Sequence, residues 1–255
     1  MTMKRALPAL ALAAVLLAGC GGAKERQFQG WVEAETVFVS PDEQGRVETL
    51  KVRQGDKVAK GDLLFTLDDD LQRADVAVKQ AALSTARQGF DRADELLKTN
   101  SGTQKTLDDA RASLTQAQAN LDAAQTRLSR RRAHSPDAGS IEEVYFRSGE
   151  TAPPGRPVVA LLPPANLKIR FFAPETELAT IKIGQAVTVT CDACAPGLGA
   201  RVTFIARSAE YTPPVSYSLE ERAKLVYLIE ARPDEPDKFR VGQPVSVTLA
   251  KGAAP

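Results

Sequence analysis

The sequence predicts a mixed α and β protein: a β module split in two by an inserted antiparallel helical hairpin, then a small β-barrel. Three observations predict it. Residues 40–67 and 135–161 carry one pattern twice. In the first copy Gly45, Val47, Glu48, Leu50, Arg53, Gly55, Asp56 and Gly61 lead to Leu67; in the second Gly139, Ile141, Glu142, Val144, Arg147, Gly149, Glu150 and Gly155 lead to Leu161. The offset is 94 throughout, and a Ser-Pro-Asp opens each copy, at Ser40 and Ser135, where it slips by one. Between the copies runs a heptad-patterned stretch, and from Leu167 onward the pattern changes to short strands.

The N-terminus comes first. Lys4 and Arg5 form a charged region, Ala6 to Leu17 an apolar one, and Leu17-Ala18-Gly19-Cys20 ends it. So short an apolar run does not span a bilayer and reads as a signal segment. Its ending resembles the bacterial lipobox, which implies cleavage before Cys20 and lipid on that cysteine; the rival is an ordinary secretory signal with an incidental cysteine. Two glycines and a polar tether follow at once. The remaining chain is long enough for two or three modest domains. Lys plus Arg number 33 against 32 acidic residues, so nothing advertises nucleic-acid binding.

In each repeat copy, alternating apolar residues punctuated by turn glycines read as short strands with tight turns. Two such halves around an insertion imply one module, divided in sequence and rejoined in space. The insertion reads as helices over 71–98 and 104–132. Val76, Leu83, Phe90 and Leu97 recur every seven residues with Lys79, Ala86 and Ala93 between them. Leu107, Ala110, Leu114, Ala117, Leu121, Ala124 and Leu128 alternate steps of three and four. Sustained heptads specify a narrow seam and a left-handed supercoil, and alternating Leu with Ala keeps the helices close. Thr99-Asn100-Ser101-Gly102 supplies the turn. Asp68 to Asp70 suit a helix start, and Arg130, Arg131 and Arg132 suit a helix C-terminus. His134 closes the second helix in a solvated or capping role. Each arm reaches about 40–45 Å at about 1.5 Å per residue.

At the turn, Arg92, Leu96 and Thr103 follow an Arg-x3-Leu-x6-Thr spacing. This resembles the Arg-Leu-Ser tip signature of periplasmic adaptors that dock on TolC-type outer-membrane channels, with Thr103 retaining the hydroxyl. The flanking halves resemble the lipoyl/biotinyl-like domain, and the whole order resembles the HlyD family of membrane fusion proteins over nearly all of the mature chain. A lipoyl or biotin carrier displays its modified lysine where this chain carries the helical insertion, so no carrier function follows. The boundaries expected are a signal peptide over 1–19, a lipid anchor and tether over 20–35, module halves over 36–69 and 134–165, the hairpin over 70–133, and the barrel over 166–255.

In that last region the strands expected are Leu167 to Phe172, Ala186 to Thr190, Ala200 to Ala206, Leu225 to Ala231 and Val245 to Leu249, with Pro174 and Pro213-Pro214 in the connections. Similar barrels follow the lipoyl-like domain in HlyD-type adaptors, and Arg222 to Tyr227 looks like that family's later barrel strand. Only about ten residues separate the tether from the first strands, so a full membrane-proximal domain is not expected. Cys191 and Cys194 are the remaining cysteines. In an oxidising compartment they read as a disulfide clip, worth about 2 kcal/mol on the chain-entropy model. Free thiols and a half zinc or redox site are the alternatives, although no second Cys pair exists and His134 lies in another region.

No nucleophile elbow, phosphate loop or zinc-protease motif is present, which argues against an enzyme; no cofactor and no metal are expected. The resemblance implies a periplasmic adaptor in a Gram-negative envelope, lipid-anchored to the inner membrane. It would join an inner-membrane exporter, ABC ahead of RND, to a TolC-like channel as a homo-oligomeric ring, a hexamer in the family. The rival is a lipid-anchored envelope scaffold that conducts nothing. A metal-delivering adaptor would want Met or His clusters, and the two methionines, Met1 and Met3, lie in the signal segment. Replacing Cys20 with Ser should abolish fatty-acid labelling and release the mature protein from membranes at high salt; a variant that still pellets places the anchor elsewhere.

Overall fold

The computed structural model describes residues 27–192, 194–211 and 225–249. Cys20, the Pro213-Pro214 pair and Arg222 to Lys224 lie outside them. The chain forms two compact units, residues 34–167 in one and the residues before and after them in the other. It opens on β1 (Gln27–Ala34), which belongs to the second unit, and then builds the first.

The first half of the split module is β2 (Val37–Val39), β3 (Gly45–Leu50), β4 (Lys57–Val58) and β5 (Leu63–Leu67). The second is β6 (Arg132–His134), β7 (Gly139–Val144), β8 (Thr151–Ala152) and β9 (Val159–Leu162). The halves do not form one sheet each. One sheet runs β2-β9-β7-β4 and the other β6-β5-β3-β8, so each half supplies two strands to each sheet. The bonds that lock them come in matched pairs. Gly55 N–H donates to the Ile141 carbonyl and Gly149 N–H to that of Val47, both at 2.7 Å. Ile141 N–H returns to Asp56 and Val47 N–H to Glu150, both at 2.8 Å. Gly55 and Gly149 have φ of 88° and 96°, a conformation that glycine alone adopts without strain. The carboxylates beside them close the same turns, Asp56 accepting from Arg53 N–H (2.7 Å) and Glu150 from Arg147 N–H (2.9 Å). Between the sheets Val47, Ile141, Leu64, Val158, Leu67 and Leu161 are buried in one core, three positions from each half.

The hairpin is α1 (Asp70–Lys98) and α2 (Gln104–Ser129). Its seam is the heptad set: Ala93, Leu107, Leu121 and Ala124 are buried, with Leu83, Phe90, Leu97 and Leu114 half-buried between them. It grows from adjacent strands, because β5 and β6 are antiparallel neighbours, Leu63 opposite His134 and Thr66 opposite Arg132.

Two readings of the second helix need correction. It ends at Ser129, short of 132, and Arg132–His134 is strand β6; His134 therefore does not close the helix. Arginine is a good helix former, but here pairing with β5 outweighs propensity. Nor is Arg131 a solvated complement to the helix dipole. Its side chain is 9% exposed and bonds to the Gln44 carbonyl (2.9 Å) and the Glu43 carboxylate (3.1 Å). The Gln72 amide oxygen on α1, turned toward it, accepts from Nε at 3.1 Å. Its own carbonyl accepts from Leu67 N–H at 2.8 Å. One residue thus ties the returning chain to α1, to β5 and to the loop before β3. At the departing side Arg46 bonds Asp68 at 2.7 Å and holds that carboxyl below its ordinary pKa, with help from the Asp70 N–H.

The second unit adds β10 (Leu167–Pro174), the one-turn helix α3 (Glu175–Leu178), β11 (Ala186–Thr190), β12 (Leu198–Ile205), β13 (Glu210–Tyr211), β14 (Leu225–Pro233) and β15 (Pro244–Leu249). The order β10-β1-β15-β11-β12-β14 closes when β14 pairs again with β10, giving a six-stranded barrel with β13 appended to β14. Residues 27–34, read from sequence as tether, are therefore a barrel strand, a third correction. Phe28 and Val32 point inward, and the Phe28 ring lies 5.9 Å from that of Phe171. The barrel contains a repeat of its own at an offset of 58: Leu167, Phe171, Ala173, Gly184, Gln185, Val187 and Val189 correspond to Leu225, Ile229, Ala231, Gly242, Gln243, Val245 and Val247. Each Gly-Gln turn grips a neighbouring strand, Gly184 N–H to the Val202 carbonyl and Gly242 N–H to that of Val32, both at 2.8 Å.

Replacing Arg131 with Met should leave the Gln44 carbonyl and the Gln72 amide without their partner, at about 1–3 kcal/mol. Hydrogen exchange should accelerate in peptides covering 40–46 and 128–135 while the barrel strands keep their protection.

Candidate functional site

The hairpin tip is built by a left-handed residue and a tight approach. Asn100 has φ of 55°, and the last turn of α1 closes through Thr99 N–H to the Glu95 carbonyl (3.1 Å) and Ser101 N–H to that of Leu96 (2.8 Å). A Cβ at Gly102 would sit 3.1 Å from Leu96 Cβ and from Leu97 N, so a small residue lets the return strand lie against Leu96.

The sequence signature distributes over this turn as follows. Arg92 and Leu96 are one turn apart on α1, on one face. Leu96 is 44% exposed, beside the seam residue Leu97, which is half-buried. Thr103, next after Gly102, is the N-cap of α2: its hydroxyl accepts from Thr106 N–H at 3.2 Å and lies 2.8 Å from the Thr106 hydroxyl. This capping role was not read from sequence, though a Thr immediately before a helical run is its usual signal.

Charge pairing and ring contacts together single out one residue. Near the tip Arg87 pairs with Asp91, Lys98 with Asp94 and Lys105 with Asp109. These are exposed contacts between helix neighbours; the carboxylates beside Lys98 and Lys105 raise both pKa values. Arg111 lies over the Phe90 ring at 5.8 Å. Arg92 has no ion pair among the described residues. The tip therefore presents an uncommitted guanidinium, an apolar side chain and a partly engaged hydroxyl. That set suits recognition and contains no acid–base pair.

Elsewhere, Cys191 and Cys194 are joined as a disulfide with Cα atoms 5.2 Å apart. Gln243 Nε2 lies 2.9 Å from Cys191 Sγ, while Gln243 Oε1 accepts from Arg240 N–H at 3.0 Å. The amide thus joins the Cys loop to the turn before β15. Among the described residues no cluster of His, Cys, Asp or Glu is arranged to hold a metal ion, and no helix is long and apolar enough to cross a membrane.

Comparison with known proteins bears on the fold. No family model matches the chain. An uncharacterized protein of Haemophilus influenzae is 30% identical over 181 residues, 71% of this chain and 46% of that protein, so the match spans under half the relative's length. The multidrug resistance protein MdtA of Pectobacterium atrosepticum is 30% identical over 172 residues, 60% of this chain and 41% of that protein. Among solved structures, a MacA-MexA chimera carrying the α-hairpin domain of Pseudomonas aeruginosa MexA superposes with a TM-score of 0.71 at 21% identity, covering 89% of this chain and 81% of that one. The membrane fusion protein Spr0693 of Streptococcus pneumoniae gives 0.68 at 19% identity, covering 89% of this chain and 100% of that one.

Two outcomes follow from the geometry. Thr103→Ala should lose about 1 kcal/mol of cap stability, seen as faster exchange in the first turn of α2, whereas Thr103→Ser should not. Intact mass of non-reduced protein should fall two hydrogens short of the reduced form; stoichiometric zinc in protein purified without added metal would overturn the disulfide. With a split two-sheet module, an inserted hairpin and a six-stranded barrel, and superposing over 89% of its length on Spr0693 and on the MacA-MexA chimera, the chain has the fold of these membrane fusion proteins.

Proposed function

We propose that the protein is a periplasmic adaptor that couples an inner-membrane exporter to a TolC-like outer-membrane channel. The observation that carries this reading is the tip. A helical arm of about 40 Å ends in an exposed Leu96 and an Arg92 that has no ion pair among the described residues, while Arg87, Lys98 and Lys105 are paired with carboxylates on their own helices and Arg111 lies over the Phe90 ring. An arm serving only as a spacer gains nothing from an unpaired charge beside an exposed leucine. The fold shared with Spr0693 and the similarity to MdtA support an adaptor in export.

In this mechanism the adaptor performs no chemistry. Lipid on Cys20 holds the chain at the inner membrane of a Gram-negative envelope, and copies assemble side by side into a ring of about six. The hairpins extend that ring into a conduit whose rim meets the helical tips of the channel. At that rim Arg92 supplies a charge, Leu96 an apolar contact and Thr103 a hydroxyl. An ABC exporter is the first choice of transporter and an RND pump the second. The genes beside this one distinguish them, an ATPase and permease pair supporting the first.

Loss of one buried contact in such a patch costs about 1–2 kcal/mol, and a ring multiplies the loss through avidity. Arg92→Asp and Leu96→Ser should therefore abolish export and tip-to-channel crosslinking while the adaptor stays folded and membrane-bound. Leu114→Asp, in the seam, should instead unfold the hairpin. Tip variants with wild-type export and wild-type crosslinking would sink the docking claim and leave the non-conducting scaffold.

A further inference from the structure

The two Gly-Gln turns of the barrel repeat each raise an aliphatic side chain next to a basic one: Lys182-Ile183 before Gly184 and Arg240-Val241 before Gly242. Ile183 is 69% exposed and Val241 53%. Strand register places the turns at opposite ends of the barrel. Gln27 on β1 pairs with Thr248 and Val187 on β11 with Leu249, so the Ile183 turn shares the end where the chain enters β1. Trp31 pairs with Pro244, so the Val241 turn lies at the other end, where the chain leaves β1.

The entry end carries a second exposed apolar residue. Gly184 bonds to the Val202 carbonyl, and two residues further along β12 stands Phe204, 48% exposed. Lys182 precedes Ile183 and Arg207 follows Phe204 by three residues; both are exposed and make no ion pair among the described residues. Glu175 and Glu177 on α3 lie at the same end. The surface is therefore not uniformly cationic, and apolar insertion rather than net charge has to carry any contact it makes.

What covers this surface is indicated by the chain leading into it. Seven peptide steps separate Gln27 from Cys20, a reach of at most about 25 Å. Across the sheet, β11 is two strand spacings from β1, roughly 10 Å. With acyl chains on Cys20, this end of the barrel is held within about 25 Å of the membrane surface, and the opposite end lies further along the strands from the anchor. Exposed aliphatic and aromatic tips flanked by Lys and Arg suit the interface, where apolar groups enter the headgroup boundary and cations remain with the phosphates. We propose that Ile183 and Phe204 insert into the phospholipid headgroup layer and set the barrel on the bilayer. The proposal rests on the lipid-anchored reading of Cys20 and extends it to a second membrane contact.

The full lipidated chain carrying Ile183→Cys, labelled without reductant with an environment-sensitive fluorophore, tests it on vesicles of phosphatidylethanolamine and phosphatidylglycerol containing a doxyl-lipid quencher. Val241→Cys is the matched control at the other end. The expected result is flotation with the vesicles and quenching at 183 stronger by roughly twofold or more than at 241. Flotation with equal or absent quenching at the two positions overturns the membrane contact and leaves the anchor intact. Quenching at 183 that requires transporter-containing membranes assigns the surface to a protein partner and overturns the lipid proposal. Failure to float overturns the Cys20 anchor and this inference with it.

Discussion

Everything in the split module depends on an interlock that neither half can make alone. Each half contributes two strands to each sheet, and Val47, Leu64 and Leu67 from one half share a single buried core with Ile141, Val158 and Leu161 from the other. The paired bonds from Gly55 to Ile141 and from Gly149 to Val47 fix that exchange in register. A register slip of one residue would turn every core side chain outward. This requirement governs the insertion as well. Whatever lies between the halves must return the chain to the place it left, because β5 and β6 are neighbours in one sheet. An antiparallel pair of helices meets that condition at any length, provided that the two arms match.

The base of the hairpin and its shaft are stabilised differently. Along the shaft the ion pairs are mostly exposed contacts between neighbours on one helix, which water screens; Arg127 and Asp75 pair across the hairpin at 2.9 Å. The Leu and Ala seam holds the two helices together, and its narrowness leaves most of each helix to solvent. At the base the contacts are polar, with Arg131 enclosed and Arg46 exposed. Arg131 gathers Gln44, Glu43 and Gln72 on the returning side, and Arg46 meets Asp68 on the departing side. An enclosed guanidinium with several acceptors is directional where a hydrophobic seam is not, so the base sets orientation and the shaft sets reach.

Much of this was legible in the sequence because the relevant physics is periodic. The 94-residue offset, the heptads and the turn glycines are all repeats, and the seam residues fell where the heptads put them. What escaped was set by partners distant in sequence. Gln27 to Ala34 alternates only weakly, with Gly30 and two glutamines among its few apolar residues, and becomes a strand because β15 pairs with it. Arg132 to His134 sits at the end of a strong helical run and becomes a strand because β5 does the same. The slip at Ser135 was the available clue, since it aligns β6 with β2. The barrel repeat was overlooked because its two copies share little beyond core positions and the Gly-Gln turn. At the tip the residue types were readable, but Thr103's bond to Thr106 and the absence of an ion pair at Arg92 among the described residues required coordinates.

The continuity of β5 into α1 and of α2 into β6 has a mechanical consequence. From Leu67 to Asp70 and from Ser129 to His134 there is no glycine and no proline, and both crossings are tied by Arg46, Arg131 and their acceptors. The root lacks the glycine or proline at which a chain bends most readily, and with both crossings tied the arm moves with the module as a lever. A tilt of about 5° in the two-sheet module would carry a point about 40 Å out along the helices through roughly 3.5 Å, over half the pitch of a helical turn. Small rearrangements between the sheets are thereby magnified at Leu96, and a load applied there is returned to the β5–β6 ladder as shear.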